Sequence, residues 1–291
     1  MNGIDISRWN PIDLSLVPCD FVIIKATQGT NYVSPRYISQ ITQAEQLGKY
    51  IGIYHYAGSG GAPAEAEHFI KTVKDYIGKA ILCLDWEGDQ NPNFGNPIYA
   101  LAFLHYVKQQ TGITPFIYMS KSVCRQYKKQ WDNSFPLWCA QYKNNNPTGY
   151  QEKPWTDSKG FGAWTDCKIY QYSSKGQLPG YSGNLDLDIA YMDGAEWNTW
   201  AKGENITEEP SEPAQTNSGT KVYPTLRRGD RSEYVRAWQT FLNLNGYGCG
   251  IADGIFGAKT LKAVKAWQRA HGLKADGIIG PKTWASLPFM N

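Results

Sequence analysis

Eight short runs of apolar and β-branched residues recur along the first two thirds of the chain, at residues 3–7, 21–27, 50–56, 80–87, 115–120, 136–142, 168–173 and 185–191. Their length and composition predict strands. Between several of them the apolar spacing changes to that of a helix. Ser34-Pro35 offers a cap and a first-turn proline ahead of Tyr37, Ile41, Ala44 and Gly48, and Pro63 precedes Ala66, Phe69, Ile70 and Val73. Asn96-Pro97 and Ser120 open two more. Such alternation predicts parallel strands, and eight of them predict a barrel whose working face lies at the strands' C-terminal ends, with an open doubly wound sheet as the other arrangement. From Lys143 to Gly162 the chain is rich in Asn, Pro, Gly and Lys, and no amphipathic period separates the last three strands. The expected fold is therefore α/β: an irregular TIM-like barrel over residues 1–200 with eight strands and fewer than eight helices.

After Trp200 the pattern stops. Residues 201–221, AKGENITEEPSEPAQTNSGTK, hold almost no large apolar side chain and predict a flexible linker. A second pattern follows over 222–291. ADGIFGAKTL (252–261) and ADGIIGPKTW (275–284) repeat one turn-to-helix unit. Val235, Trp238, Phe241 and Leu242 form an apolar stripe ending at Gly246, and Leu261, Val264 and Trp267 form another ending near Gly272. A small all-α domain of three helices is expected.

Charge separates the regions further. The whole chain is only +3, yet residues 222–291 carry ten Lys and Arg against four Asp and Glu. That balance suits an anionic partner; no nucleic-acid reading motif accompanies it. Six scattered cysteines without a CxxC pair read as reduced, buried thiols, and four histidines without HExxH leave no zinc motif, so no metal or cofactor is expected. His55 and His105 read as packed side chains. The N-terminal segment lacks a basic stretch followed by an apolar one, and no run is long enough to span a membrane. The expectation is synthesis in a cytoplasm without a signal peptide, with no membrane insertion.

The candidate chemistry sits where the strands end. Polar residues gather there, among them Asp5, Tyr56, Asp85, Glu87, Tyr118, Gln171, Asp186 and Asp188. In ILCLDWEGDQ (81–90), residues two apart on a strand share a face, so Asp85 and Glu87 project together and Trp86 points away. Two neighbouring carboxyls cannot both ionise freely, so one proton is retained to higher pH, which is what a general acid near neutrality requires. Glycosidic cleavage uses such a set, a protonated carboxyl at the leaving oxygen and a charged one at the oxocarbenium-like centre.

GIDIS (3–7), IGIYHYA (51–57), ILCLDWE (81–87), PFIYMS (115–120), PLWCAQY (136–142), IYQYS (169–173) and NLDLDIA (184–190) together resemble family 25 of the glycoside hydrolases, the N-acetylmuramidase type of lysozyme. The resemblance covers about Gly3 to Trp200 and keeps the family's motif order. It implies cleavage of the β-1,4 bond between N-acetylmuramic acid and N-acetylglucosamine in bacterial peptidoglycan. It also implies that Glu87 is the general acid, with Asp85, Asp186 and Asp5 as the other catalytic acids. Tyr56, Tyr118, Trp138, Gln171 and Asp188 are implied to line the sugar site. Asp188 stands where the family motif usually has Asn, which leaves open which aspartate of NLDLD faces the cleft, and a nucleophilic and a substrate-assisted mechanism both stay open. LRRGDRSEYVRAWQTFL with the two DGI turns resembles the peptidoglycan-binding type 1 domain. A modular wall hydrolase of the bacteriophage endolysin kind is the implied whole. Its rivals are a catalytically silent wall-glycan binder and a chitinase-like enzyme.

Overall fold

The computed structural model describes residues 1–203 and 224–287. The chain divides into two compact units, Met1–Glu204 and Asn205–Asn291. The expected linker, 201–221, falls outside the described residues from position 204 onward.

In the first unit the elements are β1 (Asn2–Ile6), β2 (Phe21–Gln28), β3 (Tyr32–Val33), α1 (Tyr37–Gln46), β4 (Tyr50–Tyr56), α2 (Ala62–Val73), β5 (Ile81–Asp85), α3 (Pro97–Thr111), β6 (Phe116–Ser120), α4 (Lys121–Gln126), β7 (Leu137–Ala140), β8 (Ile169–Gly176), β9 (Leu185–Ala190) and α5 (Gly194–Lys202). The strand order β1-β9-β8-β7-β6-β5-β4-β2 closes on itself because β1 also pairs with β2, giving an eight-stranded barrel to which the short β3 is appended. Among the described residues five α-helices accompany it, and the stretch from β7 to β9 has none.

Period-two alternation divides the strands' side chains into two cores. Val22, Ile24, Ile53, Leu82, Leu84 and Ile117 face outward against Ile41, Phe69, Phe103 and Leu104 of the helices. Phe21, Ile23, Tyr54, Ile81, Cys83, Phe116 and Trp138 fill the interior. Gly3 makes room there, since a Cβ on it would come within 2.3 Å of the Phe21 ring. Helix α5 covers the strands' starting end, with Trp197 4.8 Å from Phe21 and Trp200 5.6 Å from Phe116, centroid to centroid. The opposite end is left for polar groups.

Two expectations are corrected. The strands are not all parallel: β9 runs antiparallel to both β8 and β1. A parallel return needs a crossover of a dozen or more residues, and the β8–β9 connection, residues 177–184, is too short for one. Helix α1 starts at Tyr37, after Pro35, with Arg36 at its cap and no side-chain cap bond; Ser34 contributes its carbonyl instead, 3.0 Å from the Tyr37 N–H.

The second unit holds α6 (Glu233–Leu244), α7 (Ala258–Ala270) and the single-turn α8 (Pro281–Trp284). The sequence repeat is matched by a repeated hydrogen-bond clamp. Gln239 Nε2 donates to Asp253 Oδ1 (3.0 Å), Ile255 O (2.9 Å) and Thr260 Oγ1 (2.9 Å), while its Oε1 accepts from Gly254 N (2.8 Å). Gln268 does the same with Asp276, Ile278, Thr283 and Gly277, at 3.1, 2.9, 3.2 and 2.8 Å. Each buried glutamine thus ties one DGI turn to the helix that follows it. Truncation of either to Ala strands a buried glycine N–H and a buried threonine hydroxyl, so Gln239→Ala and Gln268→Ala should each destabilise the second unit by about 2–3 kcal/mol. Chemical denaturation of the full chain, followed by a probe in this unit, checks it; a cost under about 0.5 kcal/mol for both would remove the clamp as a determinant of the fold.

Candidate active site

The open end of the barrel is a cleft of about 740 Å³ lined by Asp5, Lys25, Tyr54, Tyr56, Asp85, Glu87, Asp89, Tyr118, Trp138, Tyr142, Gln171 and Asp186, with Arg8, Trp9 and Tyr32 among the further lining residues. Strand register assembles it. Tyr56 pairs with Asp85, Asp85 with Tyr118 and Tyr118 with Trp138, so four neighbouring strands present these groups side by side. Because β9 is reversed, its beginning lies at the rim where the parallel strands end, and Asp186 pairs with Asp5. In the closed ring β9 stands four strands from β5 in either direction, so Asp186 and the Asp85–Glu87 pair occupy opposite walls.

Alternation behaves as expected around β5. Trp86 is fully buried outside the barrel, against Phe94 (5.0 Å) and Trp131 (5.2 Å). The loop after Glu87 is fastened from two sides: Asn91 Nδ2 donates to Glu87 O (2.8 Å), and Asn93 Nδ2 donates to Gly58 O (2.9 Å). Gln90 takes a left-handed backbone conformation at φ 52°, uncommon for a side chain with a Cβ, and makes the sharp turn that this fastening requires. Tyr56 Oη donates to Asp89 O (2.7 Å), drawing the same loop against β4.

Gln171 is the hub of the floor. Its Oε1 accepts from Tyr118 (2.8 Å) and Tyr142 (2.5 Å), and its Nε2 donates to Asp5 Oδ2 (2.5 Å). Trp138 donates from Nε1 to Asp188 Oδ1 at 2.8 Å and packs against Tyr118 with centroids 4.5 Å apart. Asp188 itself is fully buried and does not line the cleft, which corrects its expected place in the sugar site. Two residues further along a reversed strand means one layer deeper; Asp186 is the rim residue of NLDLD.

Removal from water dominates the electrostatics. Burial raises Asp5 well above the ordinary carboxyl range, helped by the neighbouring Asp188. It raises Asp85 likewise, with Glu87 adding to the effect and Lys25 opposing it. Glu87 is raised by burial too, an effect the neighbouring Tyr118 hydroxyl opposes. Burial, then Asp5 and Glu87, push Asp186 up to about 8, and burial pushes Asp188 up to about 7. Lys25 is lowered by its own burial; its Nζ bonds Gln28 Oε1 (2.8 Å) and lies 4.3 Å over the Tyr56 ring. The cleft therefore keeps several carboxyl protons near neutrality, with one half-buried cation beside Asp85.

All nine residues singled out from the sequence meet at this end of the barrel, eight of them on the cleft wall and Asp188 beneath it. Lys25, Tyr54, Tyr142, Asp89, Arg8, Trp9 and Tyr32 were not singled out for the site. Lys25 had a legible signal, as the one charge in FVIIKATQ, and Asp89 belongs to the acid-rich ILCLDWEGDQ. His55 is packed, as expected: its ring bonds Glu65 (2.9 Å) and Thr27 (2.8 Å) outside the barrel. Among the described residues no group of three His, Cys, Asp or Glu is placed to hold a metal ion.

Residues 4–181 match the model of glycosyl hydrolases family 25, and residues 231–287 match that of a peptidoglycan binding domain. The chain is similar to the autolytic lysozyme of Clostridium acetobutylicum, 26% identical over 292 residues that cover 97% of this chain and 77% of that protein. It is similar also to the lysozyme of Streptococcus phage Cp-7, 30% identical over 223 residues covering 73% of this chain and 56% of the phage protein. Among solved structures, the muramidase from Trichobolus zukalii aligns with a TM-score of 0.55 at 25% identity, over 70% of this chain and 99% of that one.

Asp186 and Asp188 hold protons more tightly when folded than at the ordinary value of 3.8. Between about pH 4 and pH 8 the folded state therefore keeps protons that the unfolded chain releases, and stability falls as pH rises through that window. Asp188→Asn retains an acceptor for Trp138 and gains a donor for Asp5. Its loss of unfolding free energy from pH 5 to pH 8 should be smaller than that of the parent by at least about 1 kcal/mol. Parallel pH dependences in denaturation experiments would contradict the burial argument.

Proposed function

The chain belongs to glycosyl hydrolases family 25, and on that premise we propose that it is a lysozyme-type peptidoglycan hydrolase cleaving the β-1,4 bond between N-acetylmuramic acid and N-acetylglucosamine. The observation that carries this reading is the carboxyl set on opposite walls of one glycan-sized cleft, in which burial raises the acids it encloses. A glycosidic bond lying across the barrel mouth would have Asp85 and Glu87 on one side and Asp186 on the other.

In this reading Asp85 and Glu87 titrate as a unit and share a proton. Glu87 is the less buried member, on the cleft side of the pair, and delivers that proton to the leaving oxygen. Asp85 is the more deeply buried of the two and holds a proton more tightly before a glycan binds; Lys25 opposes that and favours its ionised form, while Glu87 is the member exposed to the leaving oxygen. Asp186 stabilises the oxocarbenium-like centre from the far wall, where the developing positive charge favours its ionised form. Asp5 is oriented by Gln171 and, with Asp188 behind it, holds the acidic floor. Tyr56 and Tyr118 flank the acids and Trp138 forms part of the floor.

The second unit would hold the enzyme on its insoluble substrate, raising the local concentration of the cleft without a new contact at the bond. Likeness to a phage lysozyme supports synthesis in a bacterial host's cytoplasm and action on that host's cell wall.

Glu87→Gln keeps the shape and removes the transferable proton. Release of new reducing ends from purified peptidoglycan should fall about 10²–10⁴-fold while the circular dichroism spectrum is unchanged. Residual activity above about a tenth of the parent's would assign the proton donor elsewhere.

A further inference from the structure

Arg8 and Trp9 follow β1 and form one lip of the cleft together with Tyr32. Trp9 is 74% exposed, an unusual position for so large an apolar surface. It is not a floppy excursion. Gln40, only 2% exposed, reaches up from α1 and donates to Ser7 O (2.9 Å) and Asn10 O (3.0 Å), while Ser7 N donates to Asn10 Oδ1 (2.9 Å). The turn carrying Arg8 and Trp9 is clamped at both of its ends.

The Arg8 guanidinium carbon lies 4.3 Å from the Trp9 ring centroid and 5.8 Å from that of Tyr32. Aromatic stacking fixes the plane of a guanidinium and leaves its edge N–H groups free, which is the presentation that binds a carboxylate through two parallel hydrogen bonds. Among the described residues no ion pair engages that edge. The lining of the cleft otherwise carries five acids, Asp5, Asp85, Glu87, Asp89 and Asp186, and its other cation, Lys25, is engaged below. Such a lining, protonated or charged, offers an acidic substituent on an incoming glycan no counter-charge, so the cation at the mouth is the group that can meet it.

We propose that Arg8, propped on Trp9, is a carboxylate-binding subsite that selects glycans bearing an acidic substituent, either the lactyl group of muramic acid or the peptide stem attached to it. This rests on the peptidoglycan reading above and adds to it a specificity-determining residue. A chitin chain of the same length offers the same backbone without the acid, so Arg8 discriminates between them.

The test is calorimetric binding in the full chain carrying Glu87→Gln, so that ligands stay intact, with and without Arg8→Gln. Three ligands of equal sugar length are compared: stem-bearing wall oligomers, amidase-stripped oligomers with free lactyl carboxylates, and chitin oligomers. Arg8→Gln should weaken at least one of the two acidic ligands tenfold or more at low salt and chitin less than twofold, and Arg8→Lys should restore part of the loss. Loss on stem-bearing oligomers alone identifies a stem carboxylate, and loss on stripped oligomers alone identifies the lactyl group. Equal weakening of all three ligands, no weakening of any, or no measurable binding of acidic oligomers by the protein that keeps Arg8 would overturn the proposal. Failure of the muramidase reading would show instead as an absence of new reducing ends from the unsubstituted protein and would leave the affinity comparison readable.

Discussion

A carboxylate that leaves water loses hydration that must be replaced by hydrogen bonds or opposite charge, or else it takes up a proton. Asp5, Asp85 and Asp188 are each at most 8% exposed, and for all three burial is the largest influence on ionisation. What replaces the lost water is sparse: Gln171 for Asp5, Trp138 for Asp188, and the nearby charge of Lys25 for Asp85. The site is therefore proton-rich by construction. One end of the barrel is filled with Phe21, Phe116 and Trp197 and the other with acids, and the apolar filling excludes water from beneath those acids.

That constraint explains why the supporting hydrogen bonds run through neutral side chains. Tyr118 and Tyr142 both donate to Gln171 Oε1, which turns its amide N–H toward Asp5. A cation at the centre of the floor would hold these carboxyls ionised and remove the retained protons on which general acid chemistry depends. The cation present, Lys25, sits on β2 beside Asp85, and its own burial lowers its affinity for a proton.

Much of this was legible in the chain. All eight barrel strands coincide with the apolar runs, and β4 occupies the run at 50–56 from end to end. Asp85 and Glu87 were singled out by period-two spacing, which persists past the end of β5, as the outward packing of Trp86 shows, and Asp5 was noted as a polar residue near a strand end. Connectivity was harder to read. Strand direction depends on how the chain returns, so the reversal of β9 was missed, and with it the depth of Asp188. Arg8, Trp9 and Tyr32 were missed for another reason: they lie in the turn after β1 and in the two-residue β3, outside the apolar runs that predicted the strands. In the second unit the DGI repeat was plain, whereas Gln239 and Gln268 lie upstream of the two repeated turns and gave no signal of their pairing with them.

The reversal of β9 has a consequence beyond topology. Had the last strand run parallel, the rim position would have fallen to a residue near Ala190, and Asp186 would have lain near the α5 end among Phe21 and Trp197. Reversed, the strand brings its second residue to the rim, opposite β5, and puts its fourth directly below, where Asp188 bonds Trp138 and backs Asp5. A short β8–β9 connection is thus sufficient to place an acid across the cleft from Glu87. The absence of a helix between β8 and β9 and the two-walled arrangement of acids have the same origin, whereas the parallel β7–β8 connection, residues 141–168, lacks a helix because its sequence after Tyr142 carries no amphipathic period.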